Sequence, residues 1–126
     1  MNINNVLIVG GGIGGLCTAI ALRQAGVAVD VVEIQPQWRV YGVGIIQQNN
    51  VVREMQRLGV LERYLDAAWP FDSVSVHTLS GQQLASFPGQ RLAGEQFPAN
   101  VGTSRLPLHN VLCSTARELG VRLTTG

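Results

Sequence analysis

Between residues 6 and 33 the chain reads VLIVGGGIGGLCTAIALRQAGVAVDVVE. The run 6–9 is apolar and of the right length for a buried strand. Gly10, Gly12 and Gly15 then give G-x-G-x-x-G, and residues 16–25 have helical composition. Gly26 follows as a C-terminal cap. The β-branched run 27–32 ends on an acid, Glu33. Strand, glycine turn, helix, strand and acid, in that order, describe a dinucleotide-binding βαβ unit.

Physical reasons attach to each part. Gly10 permits the tight turn out of the first strand, Gly12 lets a pyrophosphate approach the backbone, and Gly15 lets the helix pack closely on the sheet. A helix N-terminus offers unpaired N–H groups and partial positive charge to phosphate. Basic side chains are absent between residues 6 and 22, and none is needed there. Glu33 lies 18 positions after Gly15, close to the roughly 20 expected for a carboxylate that takes ribose hydroxyls. A glycine-rich turn without a ligand would have to explain five glycines in six positions at a helix start, where each costs about 1 kcal/mol relative to alanine inside a helix. The motif alone leaves FAD and NAD both open. Glu33 argues against NADP, because a carboxylate repels a 2′-phosphate.

A chain of 126 residues supports one modest core. With 46% hydrophobic and only 13% charged residues it is globular. A net charge of +1 without any block of like charge gives no footprint for nucleic acid or an anionic membrane. The N-terminus lacks a basic n-region and glycines interrupt the apolar run after residue 9, so neither a signal peptide nor a membrane span is expected, and a cytoplasmic location is. Cys17 and Cys113 both fall in predicted helices and are expected to be reduced thiols.

Further along, residues 34–41 read as a polar loop containing Pro36, followed by G-V-G-I at 42–45. Asn49 or Asn50 is the expected N-cap of a helix to about residue 58, with Val51, Met55 and Leu58 on its inner face and Gly59 closing it. A short helix over 60–67 should stop at Trp69-Pro70. The texture changes at Phe71. Residues 73–79 and 83–87 alternate around Ser80-Gly81 and predict a β-hairpin. Residues 88–98 read as loop, 100–104 as a short strand or extended lead-in, and 106–119 as a helix. Leu108, Leu112, Thr115 and Leu119 should line one side of that helix before Gly120 caps it, and 121–124 begins another strand. The fold class is therefore α/β: a Rossmann-like βαβ unit with an inserted β-hairpin and an incomplete sheet. Residues 1–70 are expected to form the dinucleotide-binding unit with its helices. Residues 71–99 supply the hairpin and loop, and 100–126 return to the first unit. An incomplete sheet points to a piece of a larger two-domain protein.

Taken together, these residues resemble the N-terminal third of the group A flavoprotein monooxygenases, the family of p-hydroxybenzoate, salicylate and urate hydroxylases. Four features carry the resemblance in order: G-G-G-I-G-G with Glu33; Arg39 shortly before G-V-G-I; an Asn and helix ending in Leu58-Gly59-Val60; and S-R-L-P-L-H-N-V-L, where Arg105 opens a helix ending E-L-G-V. It spans essentially the whole chain. It implies that backbone N–H groups around Gly12, Ile13 and Gly14 hold the FAD pyrophosphate, with Gly10 and Gly15 shaping the turn. Glu33 would hold the adenosine ribose, Arg39 the ribose–pyrophosphate region and Arg105 the flavin side. Residues 42–45 would lie by the isoalloxazine ring. Some members carry a basic residue after the ribose acid, where this chain has Ile34.

By the same resemblance the implied chemistry is reduction of FAD by NAD(P)H and O₂-dependent hydroxylation of a small aromatic or heteroaromatic substrate. The partners would be that substrate, the remainder of the flavoprotein and a second copy in a homodimer. Two later family motifs that complete the FAD site are absent, so this stretch by itself is expected to be inactive, and no catalytic residue is assigned in it. The alternatives are an NAD-dependent dehydrogenase or reductase module and a binding segment without turnover. A plain NAD-binding domain would continue alternating β and α near residue 60, which the predicted hairpin does not. His77 and His109 lack a second metal-type ligand at useful spacing and read as structural or solvated. Trp38 and Tyr41 would pack on a ring or anchor their loop, and Arg91 reads as a solvated surface charge. Read by themselves, Arg39 and Arg105 are equally surface or ion-pair arginines.

Overall fold

The computed structural model describes residues 3–37 and 44–126. The chain forms two compact units, one of residues 1–43 and 105–126, the other of residues 44–104. Trp38, Arg39, Tyr41 and the first two residues of the 42–45 segment lie outside the described residues.

The first unit is built on a parallel sheet of β1 (Asn5–Val9), β2 (Ala28–Glu33) and β8 (Arg122–Thr125), with β2 in the middle. Parallel neighbours need a crossover. Helix α1 (Ile13–Gln24) supplies the one between β1 and β2, and α4 (Arg105–Glu118) leads into β8. Val29 and Val31 alternate along β2 and bury with Leu16, Ala19 and Ile20 of α1. Leu108, Leu112 and Ala116 of α4 are fully buried, and α4 packs on α1. Each fully buried leucine or isoleucine of this kind contributes about 1.5–3 kcal/mol. The expected inner stripe of α4 holds at Leu108, Leu112 and Thr115, while Leu119 is only half-buried. Pro107 sits in the first turn of α4, where its missing N–H costs nothing. Arg23 ties the two helix ends together: its guanidinium donates to the carbonyls of Leu119 (2.8 Å) and Val27 (3.2 Å).

The second unit holds an antiparallel sheet in the order β3 (Gly44–Gln47), β7 (Asn100–Ser104), β4 (Trp69–Phe71), with α2 (Asn49–Arg57) and α3 (Leu61–Leu65). Val52, Met55, Val60, Leu61, Tyr64 and Val101 are among its buried residues. Several expectations change here. The N-cap of α2 is Gln48, whose carbonyl accepts from Val51 and Val52. Asn49 lies inside the helix, its side chain accepting from the Asn50 N–H. The inner face is Val52 and Met55, with Val51 and Leu58 half-buried. Residues 44–47 and 69–71 are strands. Neither was expected as one: the first is short and follows glycines, the second contains Pro70. Proline is tolerated there because β4 is an edge strand.

The expected hairpin forms from β5 (Ser73–His77) and β6 (Gln83–Pro88), which pair only with each other. The loop from 88 to 99 is not held by chance. Asp72 accepts from the Ala99 N–H (2.9 Å) and from both Nε and Nη2 of Arg91 (3.2 and 2.6 Å), and Arg91 also donates to the Glu95 carbonyl (2.6 Å). Arg91 is thus a surface charge, as expected, but an ion-paired one that straps the loop. One-residue sequence spacing cannot reveal it, because its partner lies 19 positions away. All three longer helices end in Gly-Val. In each, the valine N–H returns to the carbonyl five residues back and the glycine N–H to the carbonyl three back, at 26–27, 59–60 and 120–121. Among the described residues no helix is long and apolar enough to cross a membrane.

Candidate functional site

The carboxyl end of β1 and the start of α1 are joined by Gly10, Gly11 and Gly12. Gly10 has φ +105°, a left-handed conformation that side chains rarely adopt. Its N–H donates to the Val32 carbonyl on β2 at 2.8 Å, which anchors the turn to the middle strand. The requirement at Gly15 is different. A Cβ there would come within 2.0 Å of the Gly10 carbonyl oxygen and 3.4 Å of the Ile8 side chain. Backbone therefore passes over backbone at this point, and no other residue fits. At Gly12 and Gly14 a Cβ would meet nothing within 4 Å, so the loop opens onto free space on that side.

Gly12 is the N-cap of α1 with extended backbone, and its carbonyl accepts the first helical bond from Leu16 at 2.9 Å. Neither a capping side chain nor an acidic residue occupies the first turn. The N–H groups of Gly12, Ile13 and Gly14 stand at a helix start, where no intrahelical acceptor exists. Among the described residues no side chain caps them, and they carry the positive end of the helix dipole. This cradle has the shape and donor set of a phosphate site, and it needs no basic side chain.

Glu33 closes the cradle from β2. Its Oε2 accepts from the Gly11 N–H and its Oε1 from the Gln35 N–H, both at 2.9 Å. These two bonds, Gln35 first, with a smaller contribution from the Ile34 N–H, hold the carboxyl below the usual glutamate range; partial burial opposes them and the nearby His109 adds a small favourable charge effect. A carboxylate has about four acceptor positions, so the backbone bonds do not exhaust its capacity for hydroxyl groups. Sequence spacing gave Glu33 one task, ribose binding. The structure adds a second, fixing the glycine loop.

His109 enters the site from α4. It is 4% exposed, and its Nε2 lies 3.0 Å from the Gly11 carbonyl oxygen. Of the two roles expected for His109, structural or solvated, the structural one holds; its partner, a backbone atom 98 positions away, carries no sequence signature. Arg105, at the first position of α4, is exposed. Gly10, Gly12, Ile13, Gly14, Gly15 and Glu33 are brought together around one loop. Arg39 lies outside the described residues. Cys17 and Cys113 are both free thiols, the first half-buried and the second buried. Among the described residues no cluster of His, Cys, Asp and Glu could hold a metal ion.

A family model described as an FAD binding domain matches residues 4–126. The chain belongs to that family. Among its relatives, 3-hydroxybenzoate 6-hydroxylase of Polaromonas naphthalenivorans is 33% identical over 121 residues, covering 91% of this chain and 29% of that protein. Two solved structures share the fold. p-Nitrophenol 4-monooxygenase from Pseudomonas putida gives a TM-score of 0.82 at 25% identity, over 98% of this chain and 32% of the other. The tetrameric form of 2-methyl-3-hydroxypyridine-5-carboxylic acid oxygenase gives 0.80 at 26%, over 99% and 32%. The chain spans about a third of the length of the relatives it matches. As an FAD-binding domain it has the donor set and the open space that a dinucleotide pyrophosphate requires.

Proposed function

We infer that this chain is the FAD-binding part of an NAD(P)H- and O₂-dependent flavoprotein monooxygenase that hydroxylates a small aromatic or heteroaromatic compound. The observation that carries the inference is the Gly10–Gly15 crossing. A backbone approach that excludes even a methyl group, at the mouth of an uncapped helix, packs the helix on the sheet and brings its first N–H groups close to where a pyrophosphate would lie. The relatives named above support the reaction class, being oxygenases and hydroxylases of aromatic or pyridine compounds by name.

In this reading Gly12, Ile13 and Gly14 hold the pyrophosphate through backbone N–H groups, and Gly10 and Gly15 set the turn. Glu33 takes the ribose hydroxyls with its remaining acceptor capacity. Arg39 and Arg105 supply cationic contacts on the ribose and flavin sides, and residues 42–45 border the flavin. When bound, FAD supplies the redox and oxygen chemistry; the protein binds, orients and shields it. The three segments, 1–70, 71–99 and 100–126, then divide into cofactor unit, hairpin toward the substrate side and return to the cofactor unit. Soluble expression in the cytoplasm and self-association fit the same picture.

The test is a visible spectrum of the purified protein after incubation with FAD and removal of free ligand, beside a parallel NAD titration. Retained flavin bands are expected, with NADH or NADPH oxidation that accelerates when the correct aromatic compound is added to the intact flavoprotein. Retention of NAD without flavin would replace this reading with a dehydrogenase module.

A further inference from the structure

His109 does more than fill a gap in the core. A carbonyl oxygen only accepts hydrogen bonds, so the ring nitrogen 3.0 Å from Gly11 O carries a hydrogen and donates it. The Gly11 carbonyl and the Gly12 N–H belong to one planar trans peptide and point in opposite directions. Holding the carbonyl toward α4 therefore aims the Gly12 N–H the other way, away from α4. Glu33 fixes the preceding peptide through the Gly11 N–H. Two adjacent peptide planes in a loop of three glycines are thus locked by two side chains from different elements. Glycine has the widest backbone freedom of any residue, so such a loop cannot hold its own orientation. The other face of the imidazole is also occupied: Nδ1 lies 3.6 Å from Cys113 Sγ, one turn along α4. Burial raises the Cys113 thiol, keeping it protonated and able to donate.

We propose that His109 is a positioning residue for the cofactor: its Nε2–H holds the Gly11 carbonyl, and so presets the Gly12 N–H for the FAD pyrophosphate. Cys113 supports the ring orientation from behind. The proposal rests on the FAD reading of the loop, and its first measurement does not need FAD. A donor on the Gly11 carbonyl polarises its peptide, so the amide nitrogen of Gly12 reports the bond directly.

The experiment compares His109→Ala, His109→Gln and His109→Asn in the intact flavoprotein. The Gln amide nitrogen reaches about as far as Nε2 and restores the donor; the Asn nitrogen sits near Nδ1 and does not. In the ligand-free protein the Gly12 amide ¹⁵N resonance should move in the Ala and Asn variants and return with Gln. FAD affinity, from flavin fluorescence, should fall roughly tenfold in Ala and Asn, in keeping with the loss of one buried hydrogen bond, and recover with Gln. The ³¹P resonances of bound FAD should follow the same order. Should Ala fail to fold, the Gln–Asn contrast decides. Equal behaviour of Gln and Asn in all three readouts would overturn the proposal and leave His109 a core residue. A Gly12 resonance that follows the donor, in a protein that binds no FAD, would overturn the cofactor role and the FAD reading while leaving the loop bond standing.

Discussion

Glu33 and Asp72 do similar work with opposite consequences. Each is a carboxylate at the end or the threshold of a strand, and each accepts from loop backbone, Glu33 from Gly11 and Gln35 and Asp72 from Ala99. Asp72 is also clamped by the Arg91 guanidinium, its largest pKa-lowering influence. Among the described residues, Glu33 is held by backbone N–H groups alone and lowered chiefly by them. A carboxylate whose charge is met by a guanidinium fork is finished as structure. One met by neutral donors keeps both charge and acceptor positions for a ligand. The first unit therefore ends in an open site, and the second in a closed strap.

The largest expected effect comes from the first unit's close crossing. Gly15→Ala places a methyl 2.0 Å from the Gly10 oxygen, and since this is backbone it cannot swing aside. FAD binding should fall by at least about 100-fold, with a lower melting temperature, since overpacking of this kind costs roughly 1–3 kcal/mol or more. Retained affinity in a flavin titration would break the argument for the crossing.

The carboxylates are compared next. Glu33→Ala should weaken FAD about tenfold or more, as expected from the loss of charge-assisted hydrogen bonds. Asp72→Ala should leave FAD affinity unchanged and speed proteolytic cleavage between residues 89 and 99. Similar flavin losses in the two variants would erase the distinction.

Acid titration sharpens it. Both carboxyls sit below their ordinary values, 4.5 for Glu33 and 3.8 for Asp72. Their support is then fully present above those values and is lost as pH falls through the lower folded ones. Wild type should lose its advantage over Glu33→Gln between neutral pH and that acid range, read as the difference in melting temperature. An advantage that grows in acid would contradict the assigned contacts.

The smallest effect is expected at Asp30, a third carboxylate, paired with Arg122 across β2 and β8 at 2.8 Å with the arginine side chain 77% exposed. Asp30→Asn should change stability by no more than about 1 kcal/mol and leave FAD affinity alone. A larger loss by chemical denaturation would mean that exposure is a poor guide to these pairs.

Legibility in the sequence followed the range of the interactions. The βαβ unit was readable because strand, turn, helix and acid lie within 28 consecutive residues, and each local preference agrees with the next. The helix ends at 26, 59 and 120 were readable for the same reason, a Gly-Val pair acting within one turn. The strands at 44–47 and 69–71 were not, because both owe their existence to β7, and short strands are fixed by partners more than by propensity.

What the chain alone determined was the nucleotide cradle: glycines where backbone crosses backbone, and an acid at the next strand's end. What only the tertiary structure decided was how that cradle is held. His109 reaches Gly11 across 98 residues, Arg23 reaches Leu119 across 96, and Arg91 reaches Asp72 across 19. In each case one or both ends of the bond are backbone or common polar groups that carry no sequence signature. Only folding brings them within 3.2 Å.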